Sequence, residues 1–265
     1  MEINTGNKID QLFAEKKGKI LSAYFTAGFP QLEDTMLIMR SLQEGGADMI
    51  EVGIPFSDPV ADGPTIQQSN KIALDNGVTL KKIFEQINQV KEKIHIPVLL
   101  MGYLNPIYQY GIRKFCQDCS KAGVSGLIIP DLPINEYQNN YQDIFESNGL
   151  FNIFLITPET SHDRLEVIDN ISHGFIYMVS ASSTTGARKG LKAEQINYFK
   201  RIRKMNLKTP RLIGFGISDK NSFTIASQYA HGAIIGSAII KLLAETKNIE
   251  NDIISYIRSV KAINN

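Results

Sequence analysis

Short apolar runs alternate with segments of helical periodicity along the whole chain. The runs are rich in isoleucine, leucine, valine and aromatic residues and carry few charges, which is typical of parallel strands covered on both faces. They predict eight strands, at Ile20–Phe25, Met49–Gly53, Val98–Tyr103, Gly126–Ile129, Ile153–Ile156, Phe175–Val179, Leu212–Phe215 and Ala233–Ile235.

Amphipathic segments separate these runs. The clearest one places an apolar stripe behind Thr79, which stands in the N-cap position; the stripe is Leu80, Ile83, Phe84 and Ile87. Glycines stand where helices should end, at Gly45-Gly46, Gly123 and Gly149. Further stripes predict an extra helix before the first strand, from Ile9, Leu12 and Phe13, and a final helix from Ile253, Ile257 and Val260.

Eight strands that are each followed by a helix predict a closed barrel. The fold class is therefore α/β, and we expect a single (β/α)₈ TIM barrel domain over residues 1–265, with an extra N-terminal helix and an additional C-terminal helix. The length fits, because such barrels need about 250 residues. Counting strands does not prove closure, so a doubly wound open sheet remains the alternative.

The charges of the chain are nearly balanced, with 28 Lys and Arg against 27 Asp and Glu. Such a chain has no overall field to attract nucleic acid or an anionic membrane. Residues 1–18 lack the apolar core of a signal peptide, and no apolar run approaches the roughly 18 residues of a membrane span. We therefore expect a cytoplasmic protein with no nucleic-acid partner and no membrane partner.

Cys116 and Cys119 form a Cys-x-x-Cys pair. They share one apolar helical stripe with Ile112 and Phe115, whereas a redox pair usually stands at a helix start beside a strand. A zinc site needs two more ligands, and the four histidines are scattered without ligand spacing. We interpret the pair as buried structural thiols and predict no metal site.

Glu51 breaks the pattern of the second predicted strand. Alternation sends Ile50 and Val52 toward the covering helices and Glu51 into the barrel. A buried carboxylate is costly unless it is paired, hydrogen-bonded or raised in pKa, and barrel enzymes place catalytic groups near the carboxyl ends of their strands. Glu51 is thus a catalytic candidate; the alternatives are a salt bridge inside the barrel or a side chain in solvent.

The loop after this strand, Pro55–Pro64, is stiffened by three prolines and carries Asp58 and Asp62. Asp58 precedes Pro59 and suits the start of a turn. Asp62 precedes Gly63 and could also be a turn residue. However, a rigid loop over a barrel mouth is suited to holding a catalytic carboxylate still, so Asp62 is the second catalytic candidate.

Glycines open the loops after the seventh and eighth strands, in Gly214–Ser218 and at Gly236-Ser237. Glycine lets the backbone approach a ligand closely, helix N-termini bind phosphate, and barrels commonly bind phosphate in this pair of loops. They predict a phosphate site, unless they are ordinary glycine turns. After the sixth strand, the small residues of Ser180–Gly190 suit a mobile lid or, alternatively, a surface loop without a role.

No predicted strand carries a lysine in its interior. The nearest case is Lys19, which stands just before the first strand. A Schiff-base aldolase needs a desolvated lysine in the barrel. The sequence therefore disfavours that mechanism, and the lack of ligand clusters disfavours a metal-dependent aldolase or isomerase.

One long run, from Ile50 to Gln67, resembles the tryptophan synthase α-subunit family, and the run is highly specific to that family. The similarity extends over essentially the full chain, with supporting matches at Tyr24–Gly28, Pro130–Pro133, Gly214–Ile217 and Gly236–Ile239. The resemblance implies a carbon-carbon lyase of tryptophan biosynthesis. Its reaction is retro-aldol cleavage of indole-3-glycerol phosphate to indole and glyceraldehyde 3-phosphate, by acid/base catalysis without a cofactor.

The resemblance also implies roles for individual residues. Glu51 would be the general acid/base and Asp62 would hold the indole N–H. The remaining positions would bind the substrate. Tyr24 and Tyr103 would line the indole pocket, Tyr177 matches the family's active-site tyrosine, and Gly186, Gly216, Gly236 and Ser237 match its phosphate contacts; Thr185, in the lid, is a further substrate-binding position. The lid departs from many relatives, because Ser183-Thr184-Thr185-Gly186 replaces the more usual Gly-Val-Thr-Gly.

The partner implied by the resemblance is a pyridoxal-phosphate-dependent β subunit, in an α2β2 heterotetramer that receives indole directly. Contacts are expected at the barrel mouth, including Asp58, Pro59 and Pro133.

Two alternative functions stay open. A phosphosugar isomerase barrel would need more hydroxyl-binding groups, whereas the pocket residues Tyr24, Phe56, Ile66 and Tyr103 suit an aromatic ring. A catalytically inactive regulatory barrel would not need Glu51 and Asp62.

Overall fold

The computed structural model describes residues 6–179, 193–214 and 216–263. Its strands form one parallel sheet and confirm all eight predicted strands, with ends shifted by a few residues. They are β1 (Ile20–Thr26), β2 (Met49–Gly53), β3 (Val98–Met101), β4 (Gly126–Ile128), β5 in two segments (Phe151–Asn152 and Leu155–Ile156), β6 (Ile176–Val179), β7 (Arg211–Gly214) and β8 (Gly232–Ile235).

The sheet closes through β5. Its first segment pairs with β4, and its second pairs with β6. Between them, the N–H of Ile153 donates to the carbonyl of Leu127 over 2.8 Å, and the carbonyl of Phe154 accepts from Tyr177 over 2.9 Å. The two edges of the sheet are thus neighbouring pieces of one bent strand, and β1 joins β8 on the other side. The (β/α)₈ barrel is confirmed over the open sheet.

Helices pack against the barrel. They are α1 (Lys8–Glu15), α2 (Thr35–Gly45), α3 (Pro64–Asp75), α4 (Leu80–Val90), α5 (Leu104–Tyr110), α6 (Ile112–Lys121), α7 (Ile134–Glu136, continued by a π-turn at Tyr137–Tyr141), α8 (Gln142–Ser147), α9 (His162–Ile171), α10 (Ala193–Lys204), α11 (Lys220–Ala226), α12 (Ser237–Glu245) and α13 (Ile249–Lys261). The predicted cap at Thr79 is confirmed, since its hydroxyl accepts from the N–H of Lys82 over 3.2 Å.

Strand alternation divides the apolar side chains into two layers. The larger layer lies between the sheet and the helices. The smaller one fills the barrel interior and comprises Ile9, Ile20, Met49, Leu99, Ile128, Ile153, Phe175, Tyr177, Leu212 and Ile234. Ile9 belongs to α1, so the predicted extra helix closes the amino end of the barrel. The carboxyl ends of the strands lie at the opposite end of the barrel.

The first and last helices are tied to the barrel by one carboxylate. Asp48, just before β2, bonds to Lys16 after α1 over 2.5 Å and to Lys261 of α13 over 2.8 Å. Because Asp48 and Lys261 are both mostly buried, this pair is screened less than a surface ion pair. Both predicted terminal helices are therefore confirmed as parts of the packed structure.

Cys116 and Cys119 are both buried on α6 and are free thiols, as predicted. Burial raises the pKa of Cys116 to about 12, so its thiol stays protonated and unreactive near neutral pH.

Within the described part of the chain, the structure contains no helix with the length and apolarity required to cross a membrane.

Candidate active site

Glu51 points into the barrel from the middle of β2, as alternation predicted, and is fully buried. Its Oε1 accepts a hydrogen bond from the hydroxyl of Ser22 on β1 over 2.6 Å. Its Oε2 has no hydrogen-bond partner among the residues that the structure describes. Burial raises the pKa of Glu51 to about 7, although the hydrogen bond from Ser22 works in the opposite direction. This carboxyl can therefore exist in both protonation states near neutral pH.

Asp62 lies in the loop between β2 and α3 and is only 8% exposed. The loop folds back on itself, since the N–H of Asp62 donates to the carbonyl of Pro59 over 3.0 Å. The hydroxyl of Tyr103 donates to Oδ2 of Asp62 over 3.2 Å. Burial raises the pKa of Asp62 to about 6, against the lowering influence of Tyr103. The carboxyl is thus held in place and is mostly ionised at pH 7.

Tyr24 and Tyr177 stand inside the barrel, on β1 and β6, and both are buried. Glu51 and Asp62 each raise the pKa of both phenols by their negative charge, in addition to burial, so four predicted site residues share one electrostatic environment. Tyr24 is also the register partner of Glu51 in the sheet. The two phenols remain protonated and can serve as hydrogen-bond donors or as apolar walls.

Two glycines make room for these rings. A Cβ at Gly53 would lie 2.3 Å from the hydroxyl oxygen of Tyr24, and a Cβ at Gly214 would lie 2.3 Å from that of Tyr177. Real side chains essentially never approach so closely, so any larger residue at either position would displace a ring. The glycines at the ends of β2 and β7 therefore help to set the shape of the site.

A small cavity connects Asp62 with the aromatic residues. Its lining comprises Tyr24, Ile54, Asp62, Asn70, Met101, Gly102, Tyr103 and Pro130. The ring of Phe56 lies beside that of Tyr103, with centroids 5.2 Å apart. The lining combines aromatic and aliphatic side chains with one carboxylate, but the cavity volume of about 10 Å³ admits a heteroaromatic ring only if the lining side chains move.

The predicted phosphate residues lie in the loops after β7 and β8. Gly216 is exposed and has a positive φ of 78°, and Ser237 is the exposed first residue of α12. Gly236 precedes α12, and a Cβ on it would come 3.3 Å from the ring of Tyr24. The loop that is predicted to bind phosphate therefore lies beside the aromatic pocket at this point.

Capping distinguishes the two helices that start near these loops. Asp219 caps α11, accepting from the N–H of Ser222 over 2.8 Å, so a negative charge already occupies that N-terminus. No side chain in the described part of the chain caps α12 at Gly236. The unbonded N–H groups of α12 are thus available to an anion.

Some predicted features lie outside the described residues. These are Thr185 and Gly186, with the rest of the proposed lid, and Phe215 in the loop after β7. Their predicted roles stay predictions. In residues 6–179, 193–214 and 216–263, no three His, Cys, Asp or Glu side chains gather in a way that could hold a metal ion.

Sequence reasoning missed Ser22 and Asn70. Ser22 shares the inward face of β1 with Ile20 and Tyr24, so a hydroxyl at an otherwise apolar position was the available signal. Asn70 is 2% exposed on α3, and its Oδ1 has no partner among the described residues. Its position on a mixed polar helix gave no comparable signal.

Comparison with known proteins identifies the family of this chain. A family model described as tryptophan synthase alpha chain matches residues 10–264. The tryptophan synthase alpha chain of Flavobacterium psychrophilum is 55% identical over 239 residues, which are 90% of this chain and 94% of the relative. That of Christiangramia forsetii is 51% identical over 257 residues, which are 97% of this chain and 99% of the relative.

Solved structures show the same relationship. The crystal structure of the tryptophan synthase alpha chain from Legionella pneumophila matches with a TM-score of 0.86 and 33% identity, over 97% of this chain and 96% of that one. A chain of the aminoacrylate-bound tryptophan synthase from M. tuberculosis matches with a TM-score of 0.85 and 28% identity, over 97% and 99% of the two chains. The resemblance predicted from the Ile50–Gln67 run is confirmed, and this chain belongs to the tryptophan synthase alpha chain family.

Proposed function

We propose that Glu51 and Asp62 are the two catalytic groups of this lyase of tryptophan biosynthesis. The reaction of the family is the retro-aldol cleavage of indole-3-glycerol phosphate to indole and glyceraldehyde 3-phosphate. The observation that carries the assignment is the carboxyl of Glu51, which is wholly buried inside the barrel, has a pKa raised to about 7, and keeps one oxygen unbonded among the described residues.

The cleavage needs one proton delivered and one removed. Protonated Glu51 donates its proton to C3 of the indole ring, which places a positive charge on the ring system. The resulting carboxylate then takes the proton of the hydroxyl on the adjacent side-chain carbon. As that O–H bond breaks, a carbonyl forms, the carbon-carbon bond breaks, and its electron pair returns to the ring. A group with a pKa near the working pH can serve in both steps.

Asp62 would act on the charge that develops in between. Protonation at C3 makes the ring nitrogen cationic, and an ionised carboxylate that accepts its N–H stabilises this state more than the neutral substrate. The buried position of Asp62 supports the assignment, because a charge interaction is stronger where water is excluded. Tyr103 holds Oδ2 of Asp62 and leaves the other oxygen for the ring N–H.

The remaining predicted residues would bind the substrate. The uncapped start of α12, with Gly236 and Ser237, and the loop at Gly216 would hold the phosphate dianion. Tyr24, Tyr103 and Tyr177 would enclose the indole, and Thr185 and Gly186 would close over the phosphate from the sixth βα loop. Contact between Gly236 and the ring of Tyr24 supports a single ligand that spans both parts of the site.

The family name implies a β subunit as partner. We propose that this partner is pyridoxal-phosphate-dependent, that the complex is an α2β2 heterotetramer in the cytoplasm, and that indole passes to it directly. Exposed Asp58 and Pro133, with half-buried Pro59, at the barrel mouth would contribute to the contact. We also propose that residues 1–265 form one domain, since helices from both ends of the chain bind Asp48.

An assay of indole release from indole-3-glycerol phosphate tests this function. The chain should form indole alone and faster when a β subunit is added. Glu51→Gln should lose about 10²–10⁴-fold or more in turnover, yet retain substrate binding and its circular dichroism spectrum. Wild-type activity in that variant would end the acid/base role of Glu51, whereas no indole from the wild-type chain would end the proposed activity itself.

A further inference from the structure

Ser22 is the side chain that holds the proposed acid/base. It lies on the inner face of β1 and is 0% exposed, and its hydroxyl donates to Oε1 of Glu51 over 2.6 Å. The bond joins two neighbouring strands at a depth where no bulk water competes for either group. Ser22 lies outside the Ile50–Gln67 run, and the two side chains meet only in the folded chain.

Other hydroxyls near the site have partners other than Glu51. The Tyr103 hydroxyl donates to Asp62, while Thr26 and Ser69 are 2.7 Å apart and bond to each other. Among the described residues, Ser22 is the side chain with a hydrogen bond to Glu51. Loss of that hydroxyl would therefore leave a fully buried carboxyl without a partner, which is costly for either of its states.

The hydrogen bond from Ser22 makes the two oxygens of Glu51 unequal. Oε1 acts as an acceptor, so as long as Ser22 donates to it, the proton of the acid form lies on Oε2. Oε2 is the oxygen with no partner among the described residues. A carboxyl that was free to rotate would present its proton in several directions, and a fixed one presents it in one.

We propose that Ser22 is a positioning residue for Glu51, holding Oε1 so that Oε2 donates the proton to C3 and then accepts the proton of the side-chain hydroxyl; the inference rests on the function proposed above. The bond also lowers the pKa of Glu51, against the larger raising effect of burial. Ser22 thereby keeps the carboxyl both oriented and able to ionise near neutral pH.

The test compares Ser22→Ala with Ser22→Thr, which keeps the hydroxyl, and with Ser22→Cys, which keeps the volume but is a weak donor. The Ala and Cys variants should lose about tenfold in kcat with little change in KM, and the pH midpoint assigned to Glu51 should rise by about one unit. Ser22→Thr should restore most of both. Ser41→Ala is the matched control, because Ser41 is a buried serine on α2 that bonds only within its helix.

A second readout does not depend on activity. Protonated Glu51 stabilises the folded chain, and this contribution to the free energy of unfolding is lost as the pH rises through the pKa of Glu51. In Ser22→Cys, the loss should extend to higher pH than in the wild type. Unchanged kcat and pH midpoint in both Ala and Cys variants would overturn the proposal. Equal losses in Cys and Thr without any shift of the midpoint would also overturn it, because they would indicate a packing role. A wild-type chain that forms no indole would contradict the proposed function instead, and the unfolding data would still test the bond.

Discussion

The hydroxyl of Tyr103 donates a hydrogen bond to Oδ2 of Asp62 over 3.2 Å and accepts one from the N–H of Ala61 over 2.9 Å. Tyr103 follows β3, whereas Asp62 and Ala61 lie in the loop after β2. One phenol thus fixes the position of the loop and lowers the pKa of the carboxyl within it. Tyr103 therefore affects both the position of the loop and the ionisation of Asp62.

The variant Tyr103→Phe tests this connection. Without the hydrogen bond, the pKa of Asp62 should rise above its present value of about 6, so that more of the carboxyl is protonated at neutral pH. Turnover should fall several-fold at pH 6.5 and approach the wild-type value at pH 8.5. A pH profile of kcat measures this, with Tyr108→Phe, at an exposed position on α5, as the control. A uniform loss at every pH would contradict the electrostatic role.

The variant Asp62→Asn keeps the size of the side chain and an oxygen that can accept from Tyr103, but removes the charge. We expect a loss of about 10²–10³-fold in turnover, with a smaller change in KM, because the charge acts mainly on the transition state. Asp58→Asn, on the same loop and exposed, is the matched control in assays without a β subunit. Equal kinetics of Asp62→Asn and wild type would remove Asp62 from the mechanism.

Stability should depend on pH through Glu51. Its pKa is about 7 in the folded chain against a usual 4.5, so between these values the folded state binds the proton more tightly than the unfolded state. Stability from this group is therefore greatest below about pH 4.5 and falls as the pH rises to about 7.

The difference between Glu51→Gln and wild type isolates this effect. Denaturant unfolding at pH 5 and at pH 8 should show the variant gaining about 2.5 kcal/mol relative to wild type at the higher pH. Part of the remaining dependence should come from Asp62, whose pKa is also raised. A difference between the two proteins that does not change with pH would show that Glu51 is ionised in the folded state.

The start of α12 offers a test of the phosphate site. Ser237→Asp would place a negative charge at an uncapped N-terminus, where it should favour the helix but repel a dianion. Binding of indole-3-glycerol phosphate should weaken by about tenfold or more, while binding of free indole should change little. Ser237→Asn is the neutral control of nearly the same size. Equal weakening for both ligands with Ser237→Asp would place the phosphate elsewhere.

Much of this protein was determined by local sequence. Strands alternate in side-chain direction, so the composition of Met49–Gly53 already predicted an acidic group facing the barrel interior. The apolar runs predicted every strand, and the stripes at Ile9 and Ile257 predicted both terminal helices. These features depend on residues that are close together in the sequence, so the sequence alone is enough to predict them.

Tertiary structure decided how distant residues meet. Closure of the barrel depends on the two segments of β5 bonding to different strands, and no local pattern encodes that choice. The partner of Glu51 comes from β1, and the partner of Asp62 comes from the end of β3. The raised pKa values of the two carboxyls follow from burial among all these elements together. Desolvation is a property of the assembled barrel, so its effect on the chemistry exists only in the folded chain.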